Sequence, residues 1–221
     1  MNNQKIMLNL GCGQTRPSGW INTDSSLNSL SQKLPLISLL VKKYHKSTVY
    51  DSNNAHYMDL RKPWHFLSNS VDVVYASHVF EHLSSKTAKL FMSEAYRVLK
   101  KDGVIRIVVP DLYKLAKQYI VSYDQGQEKA SNDFLFIANL HRESTYPENR
   151  NFLAKLINSL QGYPHQHKYM YDSLSLKKIL TENGFSQVQE SSYNQSYYIS
   201  EINQVESNKE GIPSIYIEGK K

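Results

Sequence analysis

Short apolar runs that alternate with helical patterns constrain this chain most strongly. Strand-like runs occupy residues 6–10, 20–24, 56–60, 71–76 and 104–109. The runs before and after the longest helical pattern are rich in β-branched residues, as strands buried on both faces tend to be. This alternation predicts an α/β fold in which a mainly parallel sheet carries helices on both faces. Ligands of such folds bind beyond the carboxyl ends of the strands.

The helical patterns have recognisable ends. The helix predicted over 84–101 begins after Ser84 or Ser85, whose hydroxyl can accept from the first free amides, and the chain then turns at Asp102-Gly103. The last group of elements is a helix capped by Asp172 or Ser173, a stop at Asn183-Gly184, and strands over 187–191 and 214–218.

Two segments do not fit the alternation. The chain has 221 residues, which suits one compact domain with added segments. Residues 27–46 have lysines and no acid along an amphipathic pattern, so they are a basic insertion that covers the sheet edge or contacts a membrane surface or an anionic substrate. Residues 112–166 have a mostly helical pattern and are predicted to form a lid over the ligand site at the carboxyl ends of the strands.

The amino-acid composition argues against several classes of protein. The single cysteine, Cys12, rules out an internal disulfide and a Cys-rich metal site, and it suits a reducing compartment. No apolar run approaches the roughly 18 residues of a membrane span. The net charge is +6, but no RNA-binding motif or Arg-rich stripe accompanies it, so nucleic acid is disfavoured as a partner. We expect a cytoplasmic protein without a transmembrane segment.

The first strand runs directly into Gly11-Cys12-Gly13. Glycines at this position let backbone amides approach a ligand closely. A dinucleotide fingerprint is disfavoured, because Arg16 stands at its third glycine position and Asp24 follows sooner than the roughly 20 residues that the fingerprint expects. For the glycines alone, a plain turn between strand and helix is the alternative.

Six short motifs occur in one order along the first half of the chain. They cover residues 8–13, 19–24, 58–60, 71–83, 97–103 and 108–112. Together they resemble the class I S-adenosylmethionine-dependent methyltransferases, specifically the methyltransferase-11-like group. The resemblance implies one methyltransferase domain over residues 1–221, a Rossmann-like, doubly wound sheet of seven strands, and S-adenosylmethionine as cofactor.

The resemblance also implies a cofactor site at the strand ends. Its residues would be Leu10, Gly11, Cys12, Gly13, Asp24, Met58, Asp59, Leu60, Ser77 and His78. The glycine loop would pass under the methionine and ribose, Asp24 would accept from the ribose hydroxyls, and Asp59 would accept from the adenine amino group. Met58 or Leu60 would line the adenine pocket. Each aspartate taken alone is also explained by a turn or a cap.

Methyl transfer from a sulfonium is an in-line displacement, and a hydroxyl acceptor must also lose a proton. Candidate bases lie beyond the strand ends. We predict Asp111 and His167 first, then His82, with His78 and His165 as further candidates. Histidine has a suitable pKa near neutrality, although most of the eight histidines are expected to serve on the surface or in packing.

A metal site is not expected from the sequence. His78, Glu81 and His82 are close enough along the chain to share a cation, but no further ligand is evident from the sequence.

The expected methyl acceptor is inferred by analogy with the methyltransferase-11-like group. Relatives of this group are associated with surface-polysaccharide biosynthesis, so the resemblance implies O-methylation of a glycan or small-molecule hydroxyl. Tyr163, Tyr169 and Tyr171 either stack on a sugar or pack the lid. Two alternatives are a nucleic-acid-modifying methyltransferase and a non-catalytic scaffold with this fold. Asp24 and Asp59 argue against the scaffold.

Overall fold

Seven strands form one sheet in the part of the chain that the computed structural model describes, which is residues 5–25, 55–139, 166–209 and 211–221. In chain order they are β1 (Met7–Leu10), β2 (Ile21–Asp24), β3 (His56–Tyr57), β4 (Val71–Ser77), β5 (Leu99–Pro110), β6 (Ser186–Ser191) and β7 (Ser214–Lys220). The order across the sheet is β3-β2-β1-β4-β5-β7-β6. Neighbours are parallel except at β7, which runs antiparallel to both β5 and β6. The expected Rossmann-like α/β fold is confirmed.

Five α-helices and a one-turn 3₁₀ helix lie in the same described ranges. They are the 3₁₀ helix Phe80–His82, α1 (Ser85–Val98), α2 (Leu112–Asp124), α3 (Ala130–Ala138), α4 (Ser173–Glu182) and α5 (Ile202–Val205). Both predicted caps are present. The Ser84 hydroxyl accepts from the Thr87 amide at 3.3 Å, and the Asp172 carboxylate accepts from the Ser175 amide at 2.7 Å. These bonds satisfy amides that have no partner within the helix.

The predicted end of α1 is wrong by three residues. The expected helix over 84–101 stops at Val98, and β5 already begins at Leu99. Leu99 is fully buried and pairs with β4, which holds it in an extended conformation. The Lys100 ammonium donates to the Asp72 carboxylate at 2.8 Å, so it serves an ion pair and not a helix terminus. Tertiary pairing therefore overrides the local helical signal.

Helices cover both faces of the sheet. On β4, Val74 and Ala76 pack into the cluster that contains the apolar faces of α1 and α4. Val73 and Tyr75 point to the opposite face, where Ile202 of α5 is buried with them. The near-continuous apolar character of β4 follows from this two-sided burial.

Part of the predicted additions lies outside the described residues. This applies to the basic insertion 27–46 and to residues 140–165 of the predicted lid. The described start of the lid forms α2 and α3, with the expected break after Asp124. Within the described ranges, none of the helices has both the length and the apolar character needed to cross a bilayer.

A buried arginine connects the antiparallel half of the sheet. Arg106 of β5 is fully buried, and its Nε donates to Oε1 of Glu206 at 2.6 Å. Its Nη1 donates to Oε2 of Glu218 on β7 at 3.0 Å and to the Ser191 hydroxyl, and its Nη2 donates to the Ser192 carbonyl at 3.0 Å. Charge-assisted bonds of this kind offset the cost of burying the guanidinium. The cluster joins β5, β7 and the end of β6 to the residue after α5.

We predict that Arg106→Ala lowers the free energy of unfolding by about 3–5 kcal/mol, because it leaves two buried carboxylates without their cation. Chemical denaturation measures this loss. Lys178→Ala is the matched control: its ammonium lies 3.7 Å from Glu182 in a pair that is mostly exposed, so it should cost less than about 1 kcal/mol. Equal losses in the two variants would contradict the prediction.

Candidate active site

The loop after β1 and the segment after β4 are in direct contact. Gly11 has a φ of +63°, and a Cβ built on it would lie 2.3 Å from Cγ2 of Val79. Only glycine satisfies both the backbone conformation and the space. The two strand ends therefore meet without a side chain between them, which places the glycine loop beside the residues that follow β4.

Backbone and carboxylate contacts hold the glycine loop in place. The Cys12 amide donates to the Thr23 carbonyl, and the Gly13 amide donates to Oδ2 of Asp24, both at 2.9 Å. Gly13 has a φ of +51° and open space where a Cβ would be. The loop thus presents uncovered backbone beside a carboxylate at the end of β2. This arrangement fits a ligand with vicinal hydroxyls.

Two asparagines that the sequence analysis missed support the same loop. Asn9 and Asn22 are buried on neighbouring strands, and Nδ2 of Asn9 donates to Oδ1 of Asn22 at 2.9 Å. The Asn9 amide also donates to the Thr15 carbonyl at 2.8 Å, and Asn22 donates to the Pro17 carbonyl at 3.1 Å. These bonds satisfy the polar groups of the turn between β1 and β2. Polar residues inside short buried strands were the signal available from the sequence.

Cys12 has a packing role in this loop. Its side chain is buried, and burial raises the pKa of the thiol to about 11. The thiol is therefore protonated near neutrality and is a poor nucleophile. A small, neutral side chain at this position lets the loop turn closely over β2.

Asp59 lies beyond β3 and is held by an arginine. Nε and Nη2 of Arg61 donate to its two carboxylate oxygens at 2.8 and 3.0 Å. The hydrogen bonds from Arg61 lower the pKa of Asp59, so it is ionised near neutrality. Its neighbours Met58 and Leu60 are buried in the core, and the Met58 amide donates to the Asp24 carbonyl at 3.0 Å. Asp24 thus ends β2, and Asp59 follows the adjacent parallel strand β3.

The residues after β4 adopt an unusual backbone conformation. Ser77 ends the strand, and His78 has a φ of +53°, in the left-handed region. The His78 amide donates to the Val108 carbonyl at 2.8 Å, and its Nε2 lies 3.3 Å from the Ser214 hydroxyl. Left-handed non-glycine residues of this kind occur where the surrounding structure holds them. Here the imidazole is turned towards Glu81.

Three histidines surround the buried carboxylate of Glu81. Its Oε1 lies 3.4 Å from Nδ1 of His78, 3.9 Å from Nε2 of His82 and 3.9 Å from Nε2 of His167. The Glu81 side chain has no exposed surface, and among the described residues neither of its oxygens has a hydrogen-bond partner. We call these four residues the histidine cluster. It combines the predicted residues His78, His82 and His167 in one place.

Backbone contacts bring His167 to the cluster. The amides of Lys168 and Tyr169 both donate to the Glu81 carbonyl, at 2.8 and 3.2 Å. Nδ1 of His82 lies 3.1 Å from the Gln166 carbonyl. Burial lowers the pKa of His167, which favours its neutral form. The sequence did not show a further partner for Glu81 and His82, and the structure supplies His167.

Asp111 lies apart from these contacts. It is buried at the end of β5, where Oδ1 accepts from the Lys114 amide at 3.1 Å and Oδ2 lies 3.2 Å from the Lys114 ammonium. Both oxygens therefore serve the start of α2. Its predicted role as a base stays a prediction.

The two described tyrosines of the predicted cluster differ in environment. Tyr171 is buried and packs on Phe80 with ring centroids 5.1 Å apart. Tyr169 is 56% exposed and contacts Tyr171 with centroids 4.7 Å apart. Packing therefore explains Tyr171, whereas Tyr169 presents a ring to solvent next to the histidine cluster. Tyr163 and His165 lie outside the described residues.

The comparisons with known proteins agree with this geometry. Residues 8–107 match the methyltransferase-domain family Methyltransf_11, and they include the glycine loop, both aspartates and the segment after β4. The fold, the loop and this match define the class of the protein. It is an S-adenosylmethionine-dependent methyltransferase, and S-adenosylmethionine is its cofactor.

Similar solved structures are distant. A SAM-dependent methyltransferase from Archaeoglobus fulgidus is 17% identical, with coverage of 99% of this chain and 87% of that one and a TM-score of 0.48. The YcgJ protein from Bacillus subtilis is 12% identical, with coverage of 99% and 92% and a TM-score of 0.48. Phosphoethanolamine N-methyltransferase 2 from Haemonchus contortus, solved with S-adenosylmethionine, is 15% identical, with coverage of 100% and 49% and a TM-score of 0.48. No curated protein sequence matches the chain significantly.

We predict that Gly11→Ala destabilises the protein more than Gly19→Ala. Both glycines have a positive φ, so each substitution costs about 1–2 kcal/mol of backbone strain. Only the Cβ at position 11 meets Val79, which adds roughly 1–3 kcal/mol, whereas nothing lies within 4 Å at position 19. Thermal unfolding of the cofactor-free proteins measures the difference. Equal melting temperatures would show that the close contact is absent.

Proposed function

We propose that the protein transfers the methyl group of S-adenosylmethionine to a hydroxyl of a glycan or small molecule. The observation that carries the proposal is the histidine cluster beside the glycine loop. Val79 contacts Gly11. In the sequence, His78 of the cluster directly precedes Val79, and Glu81 follows it by two residues. Groups that can receive a proton thus lie next to the loop where the methyl donor is expected.

The residues at the first three strand ends fit the cofactor. Gly13 has open space beside its backbone, and Asp24 at the end of β2, whose carboxylate accepts from the Gly13 amide, is the proposed acceptor for the ribose hydroxyls. Asp59 is ionised and has further lone pairs for the adenine amino group. When bound, S-adenosylmethionine supplies an electrophilic methyl group on a sulfonium.

A hydroxyl acceptor would explain why histidines that can accept a proton lie at the site. The acceptor oxygen forms a bond to the methyl carbon as the bond from carbon to sulfur breaks, and the hydroxyl proton must leave. His167 is largely buried and favoured as neutral, and His82 lies beside it with ring centroids 4.9 Å apart. We propose His167, then His82 and Asp111, as the groups that handle this proton.

A sugar is the acceptor that suits the surroundings best. Tyr169 is exposed next to the cluster, and an exposed aromatic ring offers a stacking face for a sugar. The segment that continues from Asp111 into α2 and α3 starts at the carboxyl end of β5, so we propose that residues 112–166 cover the bound acceptor within a single domain. We further propose a role in surface-polysaccharide biosynthesis, and a location in the cytoplasm, where the Cys12 thiol stays reduced.

We predict that Asp24→Asn and Asp59→Asn each weaken S-adenosylmethionine binding about 10- to 100-fold, because each removes charge-assisted hydrogen bonds to the cofactor. Titration calorimetry measures the affinity. Asp72→Asn is the control, since Asp72 lies at the opposite end of β4 in an ion pair with Lys100. Unchanged affinity in both folded test variants would rule out the proposed cofactor contacts.

We predict that His167→Ala lowers turnover by about 10²–10⁴-fold while S-adenosylmethionine still binds. The assay is the mass gain of one methyl transfer across a panel of sugars, small alcohols and RNA. Asp111→Asn should cost less, because its carboxylate already caps α2. The exposed His65 lies outside the cluster, so His65→Ala should keep full turnover. Full turnover in both His167→Ala and Asp111→Asn would refute the assignment, and methylated RNA without methylated sugar would refute the acceptor class.

A further inference from the structure

The histidine cluster gathers electron-rich atoms around one point. One possible ligand atom from each of Glu81, His82 and His167 lies within 4.8 Å of the other two, and Nδ1 of His78 lies 3.4 Å from Oε1 of Glu81. A fully buried carboxylate without a hydrogen bond is costly unless a proton or a cation accompanies it. Within the described part of the chain, no protein group forms a hydrogen bond with the Glu81 carboxylate, so the cluster has room for a further partner.

Hydrogen bonding around the cluster decides which atoms face its centre. A carbonyl oxygen can only accept, so Nδ1 of His82 carries the proton that it donates to Gln166. Its other ring nitrogen, Nε2, is directed at Glu81. A backbone carbonyl that orients an imidazole in this way is the usual outer partner of a metal-binding histidine.

The same accounting applies to His78. The Ser214 hydroxyl donates to the Ile212 carbonyl at 3.2 Å, so it accepts from Nε2 of His78. Nδ1 is therefore the ring nitrogen of His78 that faces Glu81. Two imidazoles consequently direct a ring nitrogen at the same carboxylate oxygen of Glu81.

We propose that Glu81, His82 and His167 bind one divalent transition-metal cation, with His78 as a fourth group beside it. Two imidazoles and one carboxylate are typical of Zn²⁺ and similar ions, whereas Mg²⁺ and Ca²⁺ prefer oxygen ligands. Donors around a tetrahedral Zn²⁺ with bonds of about 2.1 Å are about 3.4 Å apart. Binding would therefore draw the three groups together from separations of 3.9 Å at Glu81 and within 4.8 Å for the whole set.

Three protein ligands leave a coordination position for a water or for an acceptor oxygen. The cluster itself lies near the glycine loop, since Val79, which follows His78 in the sequence, contacts Gly11. A cation there would take over the role that the proposed function gives to His82 and His167: it would hold and polarise the acceptor hydroxyl, so that the proton is lost to solvent. This use of the site rests on the proposed function, whereas binding of the cation does not.

The test is metal binding by the untagged, full-length protein. After treatment with a chelator and its removal, calorimetry with Zn²⁺ and absorption spectroscopy with Co²⁺ should show one site per chain. Glu81→Gln and His167→Ala should each weaken binding by about 100-fold or more, and His65→Ala should bind as the wild type does. The visible Co²⁺ bands should change in the first two variants alone.

The melting temperature with and without Zn²⁺ is a second measurement. Each protein is compared with itself, so a folding defect in one variant does not affect the result. At a Zn²⁺ concentration about 100 times Kd, the melting temperature of the wild type should rise by about 5 °C or more. Glu81→Gln replaces a buried carboxyl group that has no hydrogen bond with a neutral amide, so without metal it should melt at or above the wild-type temperature, and Zn²⁺ should not raise it. A rise as large as that of the wild type would overturn the proposal.

The outcomes separate this inference from the proposed function. A wild-type protein that binds S-adenosylmethionine but no Zn²⁺ or Co²⁺ would overturn the metal site and leave the methyltransferase unaffected. Equal metal affinity in the wild type, Glu81→Gln and His167→Ala would also overturn it, because the cation would then bind elsewhere. Loss of metal binding confined to the two cluster variants, with S-adenosylmethionine affinity kept, would support it.

Discussion

The contact between Gly11 and Val79 is the constraint on which the rest of the site depends. Because position 11 has no side chain, the loop after β1 packs directly against the segment after β4. The glycine loop reaches Asp24 on one side, and the histidine cluster starts beside Val79 on the other. The glycine loop and the histidine cluster, to which we assign the methyl donor and the acceptor proton, thereby lie side by side at the carboxyl ends of the strands.

Two buried charged groups show opposite solutions to the same physical problem. Arg106 is surrounded by acceptors on β7, the end of β6 and the residue after α5, so its charge is satisfied and it contributes to stability. Glu81 is equally buried, yet among the described residues it faces only imidazole nitrogens at longer distances. A satisfied buried charge is typical of a structural element, whereas an unsatisfied one next to a ligand site indicates chemistry.

Much of the fold could be predicted because its signals are local. The caps at Ser84 and Asp172 depend on contacts within three residues, and the strands depend on apolar runs of a few residues. The end of α1 was predicted wrongly, because Leu99 joins the sheet through pairing with β4 and not through its own propensity. The buried position of Arg106 was missed for the same reason, since its partners come from distant parts of the chain.

By itself, the sequence determined the order of the elements, the glycine turn and the acids that follow β2 and β3, because each depends on near neighbours or on a short motif. It also supplied His78, His82 and His167 as separate candidates. Only the tertiary structure decided that they surround Glu81. The physical reason is that parallel strands bring their carboxyl ends together regardless of separation along the chain, so the convergence of residues 78–82 with residues 166–169 depends on the folded sheet.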